Sequence, residues 1–415
     1  MERERTILHC DLNNFYASVE SRYRPELKKV PMAVGGSEEH RHGIVLAKNE
    51  LAKKCGVRTA ETLWQARQKC PGLVVVPPHY DWYYKVSRAA RAVYARYTDR
   101  IEPFGIDECW LDVTASTLLF GSGFEIAERL RREVREELGV TISVGVSFCK
   151  VFAKLGSDLK KPDATSEITR DNFRQIVWPM PVQDLLGVGR ATREHMAAMG
   201  IYTVGQLAQF DRELLRIKLG KNGEALWMSA NGWDTTPVAL VDAGEEIKSV
   251  GNSVTCPKDL TDREGVWKVL MLVAESVSHR LREKRLCAGA VVLTVKDSDF
   301  HYLEHTHRLE YSCRGSLDLA RAAMQAFDER YRWKRPVRAV GLRAVDLADE
   351  AEADQICLYG GFSETRRQEA VESRVDSLRQ KYGSEIIRRA THLEEERRYR
   401  FHGSDAAPMP TFHSK

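Results

Sequence analysis

No Cys-x-x-Cys pair occurs in the 415 residues, and the nine cysteines are an odd number scattered from Cys10 to Cys357. Neither a disulfide framework nor a zinc ribbon is indicated, and a reducing compartment is expected. No run approaches the roughly 18 unbroken apolar residues that a membrane helix needs. Met1–Arg5 leads straight into the apolar Thr6–Asp11 without a signal-peptide core, which predicts a cytoplasmic protein. Compositional bias is missing too. Hydrophobic residues at 43% and charged residues at 29% lie in the ordinary globular range, against a disordered or collagenous chain. The net charge is only +4, but it is uneven: Lys248–Ala348 holds 18 Lys and Arg against 13 Asp and Glu, leaving the remainder near neutral. Such a basic module suggests a polyanion held by one part of the chain and worked on by another, although a solvated basic surface accounts for the charge equally well.

The length exceeds what one hydrophobic core usually supports, and two to four domains are expected. Thr6-Ile-Leu-His-Cys-Asp11 reads as a short strand ending in a carboxylate, followed by a helix from Asn14 to Glu20. A Pro- and Gly-punctuated stretch from Pro25 to Gly72 reads as an insertion. A strand at Cys109–Thr114, a charged helix at Phe124–Leu138 and a strand at Val140–Val146 complete a β-α-β-β-α-β order. Short helices separated by glycine turns run from Gln183 to Trp233. The apolar positions Val266, Leu270, Val273, Val277 and Leu281 then mark a long amphipathic helix, with strands at Ala290–Val295 and Val337–Val345 and a helix near Leu317–Arg330. The fold expected is α+β and multidomain: a ferredoxin-like unit over 1–166 with an insertion at about 23–76, a helical region over 167–237, a linker at 238–246, a second β-α-β-β-α-β unit over 247–348, and a tail over 349–415. In that tail Val371, Val375, Leu378 and Tyr382 form a narrow apolar stripe on a charge-rich helix.

Three carboxylates stand out, Asp11 at a strand end and Asp107-Glu108 just after Pro103 and Gly105. In a ferredoxin-like unit the first strand and the central hairpin are neighbours, so these acids can meet on one exposed sheet face if the chain bends there, as the adjacent Pro and Gly allow. Hard oxygen ligands without His or Cys favour Mg²⁺ or Mn²⁺, and two such ions about 3.5–4 Å apart are the arrangement of phosphoryl transfer. Taken singly, each acid is as readily an ordinary solvated turn residue. His301, His305 and His307 lack a metal-ligand spacing and receive no role.

The segments His9-Cys-Asp-Leu-Asn-Asn-Phe-Tyr-Ala-Ser-Val-Glu20 and Gly105-Ile-Asp-Glu-Cys-Trp-Leu-Asp-Val-Thr114 resemble the two palm motifs of Y-family DNA polymerases. A third block, Val144 to Pro162, follows the same pattern in order and spacing, and the nearest likeness is to the polymerase IV branch. The resemblance implies palm, fingers, helix-hairpin-helix thumb and little-finger domains, and translesion synthesis from dNTPs on primer-template DNA by a low-fidelity monomer without proofreading. It further implies that Asp11, Asp107, Glu108 and the Leu12 carbonyl bind two Mg²⁺ ions, with Mn²⁺ as a substitute. Phe15 and Tyr16 would lie under the incoming sugar, Tyr16 as the gate against a 2′-hydroxyl, and Lys53 and Lys161 would hold the triphosphate. The chain departs from the family around the fingers, where Ala47, Glu50 and Lys53 replace the usual Thr, Tyr and Arg. A Glu beside a triphosphate is awkward unless it turns away or pairs with Lys48 or Lys54, and Arg's planar fork is lost.

Asp184-Leu-Leu-Gly-Val-Gly-Arg-Ala-Thr192 reads as a glycine hairpin before a helix, so Gly187, Gly189 and Arg190 are candidates for phosphate contact through exposed backbone amides. Gln355-Ile-Cys-Leu-Tyr359 resembles a sliding-clamp-binding peptide, with Gln355 making polar contacts and Leu358 and Tyr359 filling an apolar cleft. Two other functions remain open at this point, a catalytically weak scaffold at replication forks and a nucleotide cyclase. The intact acids speak against the first, and the hairpin glycines and basic second domain are unexplained by the other.

Overall fold

The computed structural model describes residues 4–36, 41, 43–241, 247–351, 362–383 and 386–390. These fall into two compact units that divide in the main at residues 243/244. The first contains β1 (Ile7–Leu12), β2 (Met32–Gly35), β3 (Val45–Lys48), β4 (Val74–Val76), β5 (Ile101–Pro103), β6 (Glu108–Asp112), β7 (Ile142–Ser147) and β8 (Thr165–Ile168). Five of them form a sheet in the order β5-β6-β1-β7-β8, with β1 antiparallel to both β6 and β7.

Strand alternation assigns the two faces of β1. Leu8, Cys10 and Leu12 enter a core with the helices Tyr80–Tyr94 and Gly123–Leu138, whereas Ile7 joins Trp110 and Ala153 on the opposite face. His9 and Asp11 share that second face by their period-two spacing. The helix Gly123–Leu138 begins at a Ser122/Glu125 capping box, ends at Gly139 with φ 65°, and buries Ile126, Leu130, Val134 and Leu138 at helical spacing. The helix Tyr80–Tyr94 was not among the sequence expectations, since its tyrosines and Trp82 obscure an apolar stripe carried by Val86, Ala90 and Val93.

The helix Lys150–Leu159 lies against the other face at very short range. A Cβ on Gly145 would meet Ala153 O at 1.9 Å and Ser157 N at 2.4 Å, so only glycine allows this approach. Gly145 is the register partner of His9. The close packing therefore brings Lys154 and Ser157 to the row of side chains on β1.

The insertion folds as a separate three-stranded sheet, β3-β2-β4, with the helices Glu50–Lys54 and Leu63–Lys69. Short helices at Phe173–Val177, Arg190–Ala198 and Val204–Gln209 and a helical stretch Arg212–Ala230 that breaks at Gly220 (φ 64°) gather around Phe148, Phe152 and Phe173. The stretch expected as a linker starts out packed: Val238 is buried with Ile7 and Trp110, and the Ala239 N–H donates to Glu102 at 3.0 Å.

The second unit contains β9 (Val250–Leu260), β10 (Leu286–Asp297), β11 (Tyr302–Cys313) and β12 (Val337–Asp349) in the order β11-β10-β12-β9. Its helices Arg263–Glu283 and Ser316–Arg330 share one core with the sheet, giving the expected second β-α-β-β-α-β succession. The tail helix Phe362–Tyr382 differs from its sequence pattern. Val371, Leu378 and Tyr382 are 55%, 42% and 59% exposed, and among its described side chains the buried ones are Glu369 and Glu372. The acids win because basic side chains and the start of the helix Ser316–Arg330 receive them. Gln355, Leu358 and Tyr359 lie outside the described residues.

Candidate active site

Asp11 and Glu108 are opposite each other in the β1–β6 ladder, and the Leu12 N–H donates to the Asp107 carbonyl at 3.0 Å. Two strand ends thus bring the three acids predicted from sequence into one neighbourhood. Burial first, then the charges of Glu108 and Asp107, push the Asp11 carboxyl up to about 7 against the opposing pull of Lys161. Asp107 is raised to about 6 by burial and by Glu108. Glu108 goes the other way, to about 2: burial opposes ionisation, but His9 and Lys154 outweigh it.

Lys161 Nζ lies 2.7 Å from Asp11 Oδ2 and 2.6 Å from Asp158 Oδ1. Lys154 forms an ion pair with Glu108 and also approaches the Phe104 ring. His9 is fully buried, with Nδ1 2.9 Å from Ser157 Oγ and Nε2 3.2 Å from Glu108 Oε2. That second approach is within ion-pair range but too oblique for a well-formed hydrogen bond. Burial lowers the His9 pKa, favouring a neutral imidazole.

In this conformation no three acid, His or Cys side chains among the described residues are disposed to share one ion. The donors nonetheless fit a hard divalent cation. Asp11 and Asp107 are carboxyls whose ionisation is opposed by burial and mutual repulsion, an electrostatic deficit that a cation removes. The ammonium groups of Lys154 and Lys161 supply part of that charge.

Asn14, with φ 47° and ψ 42°, turns the chain out of β1 into the helix Phe15–Tyr23. Phe15 is buried in the core, whereas Tyr16 is only partly buried. The Tyr16 ring stacks on Tyr83 at 4.3 Å and 13° and meets Tyr80 edge-on at 5.9 Å. Glu50 turns toward Asn14, accepting from Nδ2 at 2.9 Å, and lies 3.6 Å from Lys53. The partners of Glu50 are thus Asn14 and Lys53, where the sequence offers Lys48 or Lys54 or a turn away from the triphosphate.

Residues 10–158 match the family model described as the impB/mucB/samB family, and residues 247–358 match the C-terminal domain of that family. The chain is 48% identical over 392 residues to a DNA polymerase IV of Acetivibrio thermocellus, covering 94% of this chain and 98% of that protein. The chain belongs to the Y family of DNA polymerases, in its polymerase IV branch. It is also 35% identical over 395 residues to DNA polymerase IV 1 of Bacillus subtilis, covering 95% and 94% of the two chains. A solved Y-family DNA polymerase chimera shares the fold with a TM-score of 0.73 at 22% identity, covering 83% of this chain and 99% of its own. The protein is thus a DNA-directed DNA polymerase.

In this polymerase Gly187 adopts φ 91°, a conformation suited to glycine, while Gly189 caps the helix Arg190–Ala198 in extended geometry. Arg190 is highly exposed and pairs with Glu194 at 2.9 Å. Sequence reasoning missed Lys154, Ser157 and the packing role of Gly145. A signal was available: Lys154, Ser157 and Lys161 recur at helical spacing after a strand whose central glycine invites close approach. No helix of the described residues is long and apolar enough to cross a membrane.

Proposed function

We propose that this polymerase performs translesion synthesis, adding a dNTP to a primer 3′-hydroxyl opposite a template base with release of pyrophosphate. The observation that carries this reading is the row Asp11, Asp107 and Glu108 at the end of β1 and β6 in a chain of this family, where Asp11 is buried, Asp107 and Glu108 are partly buried, and the charges of Asp11 and Asp107 are incompletely compensated. Asp11, Asp107, Glu108 and the Leu12 carbonyl would hold two divalent ions, Mg²⁺ with Mn²⁺ as a substitute. Those ions supply charge neutralisation at the phosphates and lower the pKa of the attacking hydroxyl.

The remaining tasks fall to the chain's own residues. Lys161 is close enough to Asp11 to exchange that carboxylate for a triphosphate oxygen, and Lys53 offers a second cation from the fingers. Phe15 and Tyr16 form the floor below the sugar, with Tyr16 excluding a 2′-hydroxyl. Gly187, Gly189 and Arg190 would hold duplex phosphates without reading sequence, and the basic second unit would add backbone contacts. The assignment of residues 1–166 with the insertion at 23–76 to palm and fingers, 167–237 to thumb, 238–246 to a linker, 247–348 to little finger and 349–415 to tail belongs to the same reading. Gln355, Leu358 and Tyr359 would tether a monomeric enzyme to a sliding clamp and raise its effective concentration at the primer end.

Primer extension on undamaged and abasic templates, with Mg²⁺ and then with Mn²⁺, tests the proposal. Extension past the abasic site in the presence of a divalent ion, and none after chelation, is the expected result. Extension that stops at every abasic site would remove the translesion assignment.

A further inference from the structure

Glu20 is fully buried, yet nothing in the proposed chemistry uses it. It lies one helical turn beyond Tyr16, so the two side chains follow one another along the same face of the helix Phe15–Tyr23. Tyr83, also fully buried, bridges them from the helix Tyr80–Tyr94. Its ring stacks on Tyr16 at 4.3 Å and 13°, and its hydroxyl donates to Glu20 Oε1 at 2.5 Å. His79 Nδ1 approaches the same oxygen at 2.8 Å, and His79 is in turn stacked on Trp82 at 4.3 Å and 16°. Tyr80 closes the group edge-on to both Tyr16 and Tyr83. A carboxyl group inside an apolar core is costly unless its partners are well placed, and here it fixes one tyrosine hydroxyl.

We propose that Glu20 and Tyr83 are positioning residues for sugar discrimination, holding the Tyr16 ring stiff against a 2′-hydroxyl. The inference rests on the reading of Tyr16 as the gate. Steric exclusion is only as strong as the wall is rigid. A ring free to leave its rotamer yields at little cost, and such a wall gives no more than about tenfold selectivity. A ring stacked on Tyr83 yields only if Tyr83 moves, and Tyr83 moves only if its hydrogen bond to Glu20 breaks. Close packing with Phe15 and Tyr80 leaves little slack for either.

The test is single-turnover incorporation of one dNTP and of the matching rNTP by the full chain with primer-template DNA. Tyr83→Phe keeps the stacked ring and removes the hydroxyl. We expect its dNTP-over-rNTP preference in kcat/KM to fall about tenfold through faster rNTP incorporation, with dNTP incorporation within about twofold of the unsubstituted enzyme. Glu20→Gln retains an acceptor for the Tyr83 hydroxyl, so it should lose less discrimination than Tyr83→Phe. In a Tyr16→Ala background, Tyr83→Phe should cause no further loss, because the wall it steadies is gone. If Tyr16→Ala relaxes sugar choice and Tyr83→Phe leaves it unchanged, the positioning inference is overturned and the gate stands. An equal fall for both nucleotides in Tyr83→Phe, with the ratio intact, assigns Tyr83 to packing and likewise overturns it. Unchanged selectivity in Tyr16→Ala removes the gate itself, and the inference with it.

Discussion

Two groups of buried and half-buried acids, one in each unit, meet opposite fates. In the first unit Asp11 and Asp107 stand beside Glu108 with Lys161 and Lys154 as partial counter-charges, and their carboxyls are raised to about 7 and about 6. In the second unit the tail helix inserts Glu369, Glu372 and Asp376 among donors that answer each charge. Glu372 accepts from the Ser316 N–H at 3.1 Å, from Arg282 at 2.7 Å and from Arg389 at 3.0 Å. Glu369 accepts from the Arg314 N–H at 2.9 Å, and Asp376 from Arg282 at 2.6 Å. Burial would raise Asp376, but His279 and Arg282 reverse it and hold the carboxyl below its usual range. Complete donors mark the acids of the tail helix as structural, whereas Asp11 and Asp107 are left short of them even though Glu108 beside them is not.

The comparison also reassigns basic residues. Arg314, one of several arginines that made the second domain look suited to a polyanion, is bound to Glu350 and Glu369 within its own unit. Its charge is answered chiefly by Glu350, with Glu369 of the tail helix 3.8 Å away.

The largest expected effect lies in the first group. Asp107→Ala should lower nucleotide incorporation by roughly 10³-fold or more while primer-template affinity, read by fluorescence anisotropy, stays near the original value. Incorporation near the starting rate would show that the under-compensated acids are not the chemical site. In the second group the effect should fall on stability instead. Glu372→Ala removes an acceptor from Arg282, Arg389 and the Ser316 N–H while Arg282 keeps Asp376, and the transition of the second unit should lose about 1–3 kcal/mol in denaturant titration. An unchanged transition would mean that the tail helix is not held by this carboxyl group.

A smaller, pH-dependent effect sharpens the contrast. Asp376 raises the His279 pKa above its ordinary 6.5, with burial opposing and Arg282 and Glu283 acting in opposite senses. A raised histidine contributes stability that is complete below 6.5 and is lost as pH rises through the folded value. Attachment of the tail helix should thus weaken on going from about pH 6 to pH 8, and His279→Asn should flatten that dependence in hydrogen exchange of the helix. Smallest of all is Val371→Ser, which should shift stability by no more than about 0.5 kcal/mol because Val371 is exposed.

Much of the first unit could be read from its residues. Strand alternation at Thr6–Asp11, the cap and stripe of the helix at Gly123–Leu138 and the acids beside Gly105 all report on local geometry, and their positions follow from local rules. The tail helix could not be read so. Its apolar stripe at Val371, Leu378 and Tyr382 obeys the periodicity rule, but the packing was decided by Arg282, Arg314 and the N-terminus of a helix roughly 50 residues earlier. Long-range charge pairing leaves no periodic mark. The same limit hid the link between Tyr16, Tyr83 and Glu20, since the contact between Glu20 and Tyr83 spans 63 positions.

The central claim is that Asp11 and Asp107 are left short of positive charge beside a compensated Glu108 because a divalent cation completes them. Denaturant stability of the first unit, measured for the unsubstituted protein and for Asp107→Asn with and without Mn²⁺, tests it most directly. Without metal the Asn variant should be the more stable by about 1–2 kcal/mol, since it removes a partly buried, repelled charge. With saturating Mn²⁺ the order should invert, because only the unsubstituted site gains binding energy in full. An order that stays the same with and without Mn²⁺ would contradict the account.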